Sequence, residues 1–528
     1  MRRFNVTGTC VGKKHYMVDI SKKLDEIEKL VDDECYFTIN RARQYGKTTT
    51  LLHLEKRLEA SGKYIVANIS FEDAGVGAFD TEEAFCKMFL GRISEALAFS
   101  NGDGLAAKRW LDPDVNSIDS LRRHITKMCK DVKVVLMIDE VDKSSNNGLF
   151  LHFLGILRAK FLLRQAEKDY TFHSVILAGV TDIKNLKMKL VNDGLHKTLK
   201  DEGRIINSPW NIAADFDVDL SFSVDDISTM LNEYESDNKT GMDVLAISNE
   251  IHNHTNGYPF LVSRMCKCVD EKLGKNWKLD SVREAARIIC EERNVLFDDM
   301  VKNLENHKDL YEFMYELLIV GVTRTFVIDN PTISLANSFG YIRKKTNGIQ
   351  KIVVYNRIFE IRLTRYFASK DETLRIGNRV NGVIYQDVIK DGMFDMAACL
   401  QKFAEHYREI YTSKEEHFFE RHGRLLFLSF LKPLLNGQGN FYIESQFTDL
   451  RRMDIVVDFE GQQIIVELKL WKGDAHKEKA YEQLLGYMEA KNASEGFLLT
   501  FDFRKQKTEE HTPGWVEFDG RRIFDVVV

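Results

Sequence analysis

The sequence predicts a multidomain α/β protein, and three observations carry that expectation. Its 528 residues exceed what one hydrophobic core usually holds, leaving room for about three or four domains. Between residues 35 and 210, short apolar runs alternate with longer amphipathic stretches, the pattern of a parallel sheet covered by helices on both faces. Near the C-terminus a second α/β pattern follows, in which a hairpin lies between two helices.

Composition narrows the class. The apolar share (44%) and charged share (29%) are those of a soluble globular chain. No uninterrupted apolar run is long enough to span a bilayer, and MRRFNVTGTCVGKK lacks the apolar stretch of a secretion signal. A cytoplasmic address and no membrane partner are expected. The eight cysteines are scattered with no CxxC pair, which argues for reduced thiols over a zinc site or disulfide framework. With a net charge of −6, a nucleic-acid partner would have to use a local basic surface.

The elements follow in order. CYFTIN (35–40), YIVANISF (64–71), KVVLMID (133–139) and SVILAGV (174–180) read as buried strands, and NGDG (101–104) as a loop. These place a first domain at 1–210. Residues 211–299 read as an all-helical lid, with Ser223 or Asp225 capping one helix. Residues 300–370 combine helices with the hairpin GYIRKKTNGIQKIVVYN, whose TNG supplies the turn, an order that suits a winged-helix-like module. The last domain is placed at 371–528.

The first domain carries a phosphate-binding pattern. RARQYGKTTTLLHLEKRL (41–58) follows a strand and enters a helix. Gly46 would let backbone N–H groups approach phosphate oxygens, Lys47 would reach the β- and γ-phosphates, and Thr48 would hold magnesium. Arg41 stands where GxxxxGK[ST] has its first glycine. The strand KVVLMIDEVD ends in Asp139 and Glu140, placing one carboxylate near the metal and another near an attacking water. A solvated acidic strand end is the plain alternative. Thr181 and Asp182 end another strand where a polar group could sense the γ-phosphate, and Gly257-Tyr258-Pro259 opens a helix, which capping alone would explain.

HYMVDISKKLDEIEKL, FTINRARQYGKTTTLLHLEKRL, LMIDEVDK and INSPWNIA together resemble the bacterial AAA-ATPase-like family, allied to the STAND signalling ATPases. An Arg-rich stretch similar to RARQYGK replaces the glycine-rich loop in that family. The resemblance implies a RecA-like core with ATP and Mg2+ as cofactors. It implies Lys47 and Thr48 on phosphate and metal, Asp139 assisting the metal, Glu140 activating water, and Pro259 in a GxP element at the nucleotide. Arg43, Gly46 and Thr49 join the expected nucleotide-contacting set.

RMDIVVDFEGQQIIVELKLW (452–471) reads as a hairpin turning near Glu460-Gly461-Gln462. Asp454 then falls roughly opposite Glu467 or Lys469, and Glu467 and Lys469 share a sheet face. Two carboxylates and an ammonium on one face suit phosphodiester hydrolysis with Mg2+ or Mn2+, hard cations that take oxygen ligands. The bland alternative is charge pairing on an exposed face, worth under about 1 kcal/mol. Flanking helices add Glu420, with Glu416 one turn earlier, and Gln483 with Tyr487.

In that order (Glu420, Asp454, Glu467-Leu468-Lys469, then Gln483-x-x-x-Tyr487) the block resembles the PD-(D/E)XK nuclease superfamily, and Met453 stands where its proline would be. The resemblance implies a restriction-endonuclease-like α/β domain. In it Asp454, Glu467 and Glu420 would hold metal, Lys469 would orient the nucleophile or stabilise charge, and Gln483 and Tyr487 would complete the catalytic set. An ATP-regulated DNA nuclease is the expected function, with a nucleotide-dependent homo-oligomer and basic backbone contacts from Arg343-Lys344-Lys345 and Arg451-Arg452. The alternative is a STAND-like switch whose C-terminal domain binds DNA or protein without cutting.

Overall fold

The computed structural model describes residues 2–101, 107–143, 147–180, 210–320, 324–347, 349–374, 388–390, 393–410, 420–435, 439–442, 455–459, 462–471, 474–502, 511–518 and 520–528. They divide into two compact units: Met1–Ile289 with Ser334–Tyr341, and Cys290–Ile333 with Ile342–Val528. This division is coarser than the four domains expected. The helical segment groups with the first block, and most of 300–370 groups with the C-terminal block.

In the first unit α1 (Ser21–Asp32), β1 (Tyr36–Asn40), α2 (Lys47–Ala60), β2 (Ile65–Ser70), α3 (Glu82–Asn101), α4 (Ile118–Met128), β3 (Val134–Asp139), α5 (Gly148–Gln165) and β4 (Ser174–Gly179) follow in order. The strands pair in parallel as β1-β4-β3-β2. Strands β3 and β4 are buried along their whole length, which is why they read as unbroken apolar runs rather than alternating ones. Phe85, Phe89, Leu121, Ile125, Phe153 and Leu157 from α3, α4 and α5 close the core over one sheet face. The register sets Asn40 beside Gly179 and Ser70 beside Asp139, so the C-terminal strand ends form one edge. A parallel bridge from Phe37 to Ala214 adds a fifth position beside β1.

Helices α6 (Val224–Asn238), α7 (Val244–Thr255), α8 (Pro259–Lys272) and α9 (Leu279–Glu291) follow. Ser223, not Asp225, caps α6, in a reciprocal capping box with Asp226. Gly257 precedes α8 at φ 70°, and a Cβ there would stand 2.1 Å from the Phe222 carbonyl oxygen. Only glycine fits that approach. Pro259 then opens α8 with its φ already helical.

The second unit contains α10 (Val295–Asn306), α11 (Lys308–Tyr315), the antiparallel pair β5 (Ile342–Asn347) and β6 (Ile349–Val354), α12 (Arg357–Leu374), the short pair β7 (Ile389–Lys390) and β8 (Met393–Phe394), α13 (Met396–Ile410) and α14 (Glu420–Leu435). Its main sheet comprises β9 (Gly439–Tyr442), β10 (Ile455–Phe459), β11 (Gln462–Leu470), β12 (Glu495–Phe501), β13 (Gly514–Phe518) and β14 (Arg521–Val527), with α15 (Asp474–Ala490) between β11 and β12. The order is β13-β14-β12-β11-β10-β9: antiparallel at both edges, parallel through β11, β12 and β14. Helices α13 and α14 pack on one face with Ile455, Val457, Val466, Leu468 and Leu499. Helix α15 packs on the other with Val456, Ile465 and Leu498. Both faces are therefore covered.

Candidate functional site

The loop between β1 and α2 is the first site. Gly46 is the N-cap of α2 at φ 83°, which lets the chain turn sharply so that the next backbone N–H groups open the helix. Lys47 is 5% exposed, and its Nζ donates to the Arg41 and Ala42 carbonyls, both at 3.1 Å. Burial lowers the Lys47 pKa, while Glu140, Asp139 and Asp142 act to raise it. Thr48 donates its hydroxyl to Asp139 Oδ2 at 2.6 Å. The strand β4 separates β1 from β3, and this contact bridges the gap between their ends. Glu140 adopts φ 55° and its backbone N–H donates to Asp139 Oδ1 at 2.9 Å. Burial raises the Glu140 carboxyl pKa, with Lys47 acting against it.

The structure brings Gly257-Tyr258-Pro259 to this loop. The Tyr258 hydroxyl donates to the Arg43 carbonyl, its ring meets Tyr45 edge-on at 5.0 Å, and Pro259 Cβ lies 4.0 Å from where a Gly46 Cβ would stand. Capping alone does not explain such contacts. Thr49 faces a different neighbour: its hydroxyl oxygen accepts the Cys10 N–H at 3.3 Å. Thr181 and Asp182 lie outside the described residues.

Sequence reasoning missed Asp142. Its carboxylate accepts the Val180 N–H, and a Cβ on Gly179 would stand 2.9 Å from its Oδ2, so it ties the end of β4 to the acidic turn after β3. The signal was available, since Asp142 is the third acid of the quoted DEVD.

The second site lies on the α15 face of the C-terminal sheet. The hairpin pairs Ile455 with Val466 and Phe459 with Gln462. Glu467 is 0% exposed, so it belongs to no solvated face, and its Oε1 lies 2.6 Å from Lys469 Nζ. The Lys469 side chain is 23% exposed, placing the pair at the border between core and solvent. Above this face, Gln483 Nε2 donates to the Tyr487 hydroxyl at 2.9 Å, and Tyr487 is buried among Leu484 and Met488. The two side chains are therefore tied to each other rather than freely solvated.

Asp454 lies outside the described residues, as do Glu416, Arg451 and Arg452, while Glu420 is the first residue of α14. In the β5–β6 hairpin, Arg343 departs from the expected surface role. Its Nε donates to the Tyr355 carbonyl at 3.2 Å, and burial lowers its pKa. Lys344 is exposed. Among the described residues no cluster of three or more His, Cys, Asp or Glu could hold a metal, and no helix is long and apolar enough to cross a membrane.

These two sites define a class: an ATPase-type parallel-sheet core carrying a phosphate loop, joined to a nuclease-type α/β domain. The particular family follows from comparison with known proteins. Residues 13–360 match the AAA-like domain, and the chain belongs to that family. Residues 440–512 match the PD-(D/E)XK nuclease superfamily. Among solved structures, a Walker-type ATPase of Pyrococcus abyssi is similar at 14% identity and TM-score 0.44, over 68% of this chain and 99% of that one. The ORC2 protein of Aeropyrum pernix, in ADPNP-ADP complexes, is similar at 12% identity and TM-score 0.34, over 69% and 97%. Cdc6p from Pyrobaculum aerophilum is similar at 14% identity and TM-score 0.30, over 66% and 94%. No curated protein matches the chain.

Proposed function

We propose that the chain is an ATP-binding and ATP-hydrolysing protein whose C-terminal domain hydrolyses phosphodiester bonds of nucleic acid, DNA first, under control of the nucleotide. The observation that carries this reading is the wholly buried Glu467 ion-paired to Lys469, on the sheet face beneath the Gln483–Tyr487 pair. A carboxylate is almost never buried this completely without a partner or a ligand.

Each site offers oxygen atoms of the kind a divalent cation takes: Thr48 Oγ1 and Asp139 Oδ2, 2.6 Å apart, at the first, and the buried Glu467 carboxylate at the second, with Asp454 and Glu420 added only by the superfamily pattern. A bound Mg2+ or Mn2+ would supply charge neutralisation at phosphate oxygens and a more acidic water. The protein's own groups do the rest. Lys47, once drawn from the Arg41 and Ala42 carbonyls, binds the nucleotide phosphates, and Glu140 accepts a proton from water. At the second site Lys469 directs its ammonium at the charge that builds on the scissile phosphate, and Gln483 and Tyr487 orient the nucleophile. Tyr258 and Pro259, packed on the phosphate loop, are the route by which the helical segment acts as a lid.

The test is cleavage of linear, circular and single-stranded DNA, and of RNA, with and without ATP and Mg2+ or Mn2+. Glu467→Gln is expected to lower the cleavage rate by about a hundredfold or more. Lys47→Ala is expected to abolish ATP turnover and alter cleavage together. Cleavage that persists undiminished in Glu467→Gln defeats the nuclease reading. ATP-independent cleavage identical in Lys47→Ala defeats the control by nucleotide and leaves a switch that binds without coupling.

A further inference from the structure

The last strand buries a second carboxylate on the same sheet face as Glu467. Glu467, Leu498 and Asp525 occupy one row of the parallel ladder across β11, β12 and β14. Two interstrand steps place the two acidic positions about 10 Å apart, about three rises of one nucleic-acid strand. Asp525 is 1% exposed. Its Oδ2 accepts from the Tyr481 hydroxyl at 2.6 Å, Lys477 Nζ at 2.7 Å and His511 Nε2 at 3.1 Å. Its Oδ1 has no hydrogen-bond partner among the described residues.

A carboxylate needed only to hold α15 on the sheet would be served by Tyr481 alone, which is a neutral donor from that helix. Instead it gathers two cation-forming side chains whose outer atoms reach solvent: Lys477 is 20% exposed and His511 is 34% exposed. After the contact to Asp525 a lysine ammonium has two further N–H donors, and an imidazole has its second ring nitrogen. Lys477 also lies 5.9 Å from the Trp471 ring, which follows Glu467 and Lys469 at every second position along the chain. An aromatic face beside paired cationic donors is how single strands are tracked. The donors thus continue the Glu467–Lys469 site rather than forming an isolated patch.

Resting on the nuclease reading above, we propose that Asp525 anchors Lys477 and His511 as a phosphate-binding subsite, which grips the substrate backbone a few nucleotides from the bond that Glu467 and Lys469 address. Recognition there is of phosphodiester charge and is independent of base sequence.

The experiment is anisotropy of a short fluorescent DNA, single-stranded and duplex, and of the matching RNA, bound to the full chain in EDTA across a salt series. Lys477→Ala is expected to weaken binding about tenfold and to lower the slope of log affinity on log salt by about one, the mark of one lost phosphate contact, and His511→Gln is expected to weaken binding. Arg522→Ala serves as the control, because that guanidinium is engaged by Glu495 and the Trp515 ring. Its slope stays at the wild-type value. Asp525→Asn adds net positive charge. It weakens binding if Asp525 holds the donors, whereas tighter binding refutes the anchoring.

An unchanged slope in Lys477→Ala with unchanged affinity in His511→Gln overturns the proposal, and lowered unfolding temperatures then reduce the cluster to a structural latch. A wild-type chain that binds neither DNA nor RNA also overturns it. If wild type binds but never cleaves, the nuclease reading fails while the slopes still decide the subsite. If it cleaves with slopes unmoved, the subsite alone fails. The DNA and RNA arms show which strand supplies the phosphates.

Discussion

Gly257 illustrates how a single position can hold two functional segments in place. It keeps φ 70° against the Phe222 carbonyl, immediately before the Tyr258 that touches the phosphate loop. Gly257→Ala is expected to cost about 2 kcal/mol or more, because the methyl meets backbone rather than a yielding side chain. Thermal unfolding checks the stability, and nucleotide titration checks whether affinity falls with it. Site residues of this kind were legible to different depths. Thr48 and Asp139 share a hydrogen bond, and Glu140 and Asp139 lie within electrostatic reach of Lys47. Asp525 was not seen, for a physical reason. It is a lone acid whose meaning depends on neighbours elsewhere in the sequence, Lys477, Tyr481 and His511. A periodicity scan carries no such information.

At the scale of elements, the helices after residue 223 carry a charge cluster that makes a pH prediction. On α7, the Glu250 carboxylate meets His254 one turn on, and Arg283 of α9 reaches it at 2.8 Å. His254 first and Arg283 second hold its pKa at about 2, down from an ordinary 4.5. A depressed carboxylate stabilises the fold above its unfolded pKa and loses that contribution as pH falls through the folded one. Glu250→Gln is therefore expected to unfold at a lower temperature than wild type at neutral pH. The gap should narrow below pH 4.5 and close near pH 2, measured by circular dichroism across a pH series. A gap independent of pH assigns the loss to packing instead. Elements were the most legible level: all four apolar runs became parallel strands, and both hairpins paired in antiparallel fashion. Burial of Glu467 was not legible, because alternation shows that a residue faces away from one core without showing that α15 covers the other side.

For the whole molecule, ligand linkage separates the two compact units. A nucleotide that binds only the folded first unit stabilises it by about 2.7 kcal/mol at a hundredfold excess over Kd. Calorimetry with a nonhydrolysable ATP analogue should raise one unfolding transition, and Lys47→Ala should remove the rise. A uniform increase that survives Lys47→Ala places the binding elsewhere. The grouping of residues into units was the least legible level, since Ser334–Tyr341 returns to the first unit after the chain has entered the second. Local pattern cannot report such a return.

The left-handed backbone of Glu140 sets stability against activity at one position. A glutamate at φ 55° is held there against its own preference, at a cost of about 1 kcal/mol or more, whereas asparagine tolerates that region more readily. Under the role proposed for Glu140, Glu140→Asn is expected to unfold at a higher temperature while hydrolysing ATP far more slowly. Under that role the position exchanges stability for activity, and the two measurements on Glu140→Asn read both sides of the exchange. The same variant offers the experimenter a sturdier chain, arrested with its nucleotide intact.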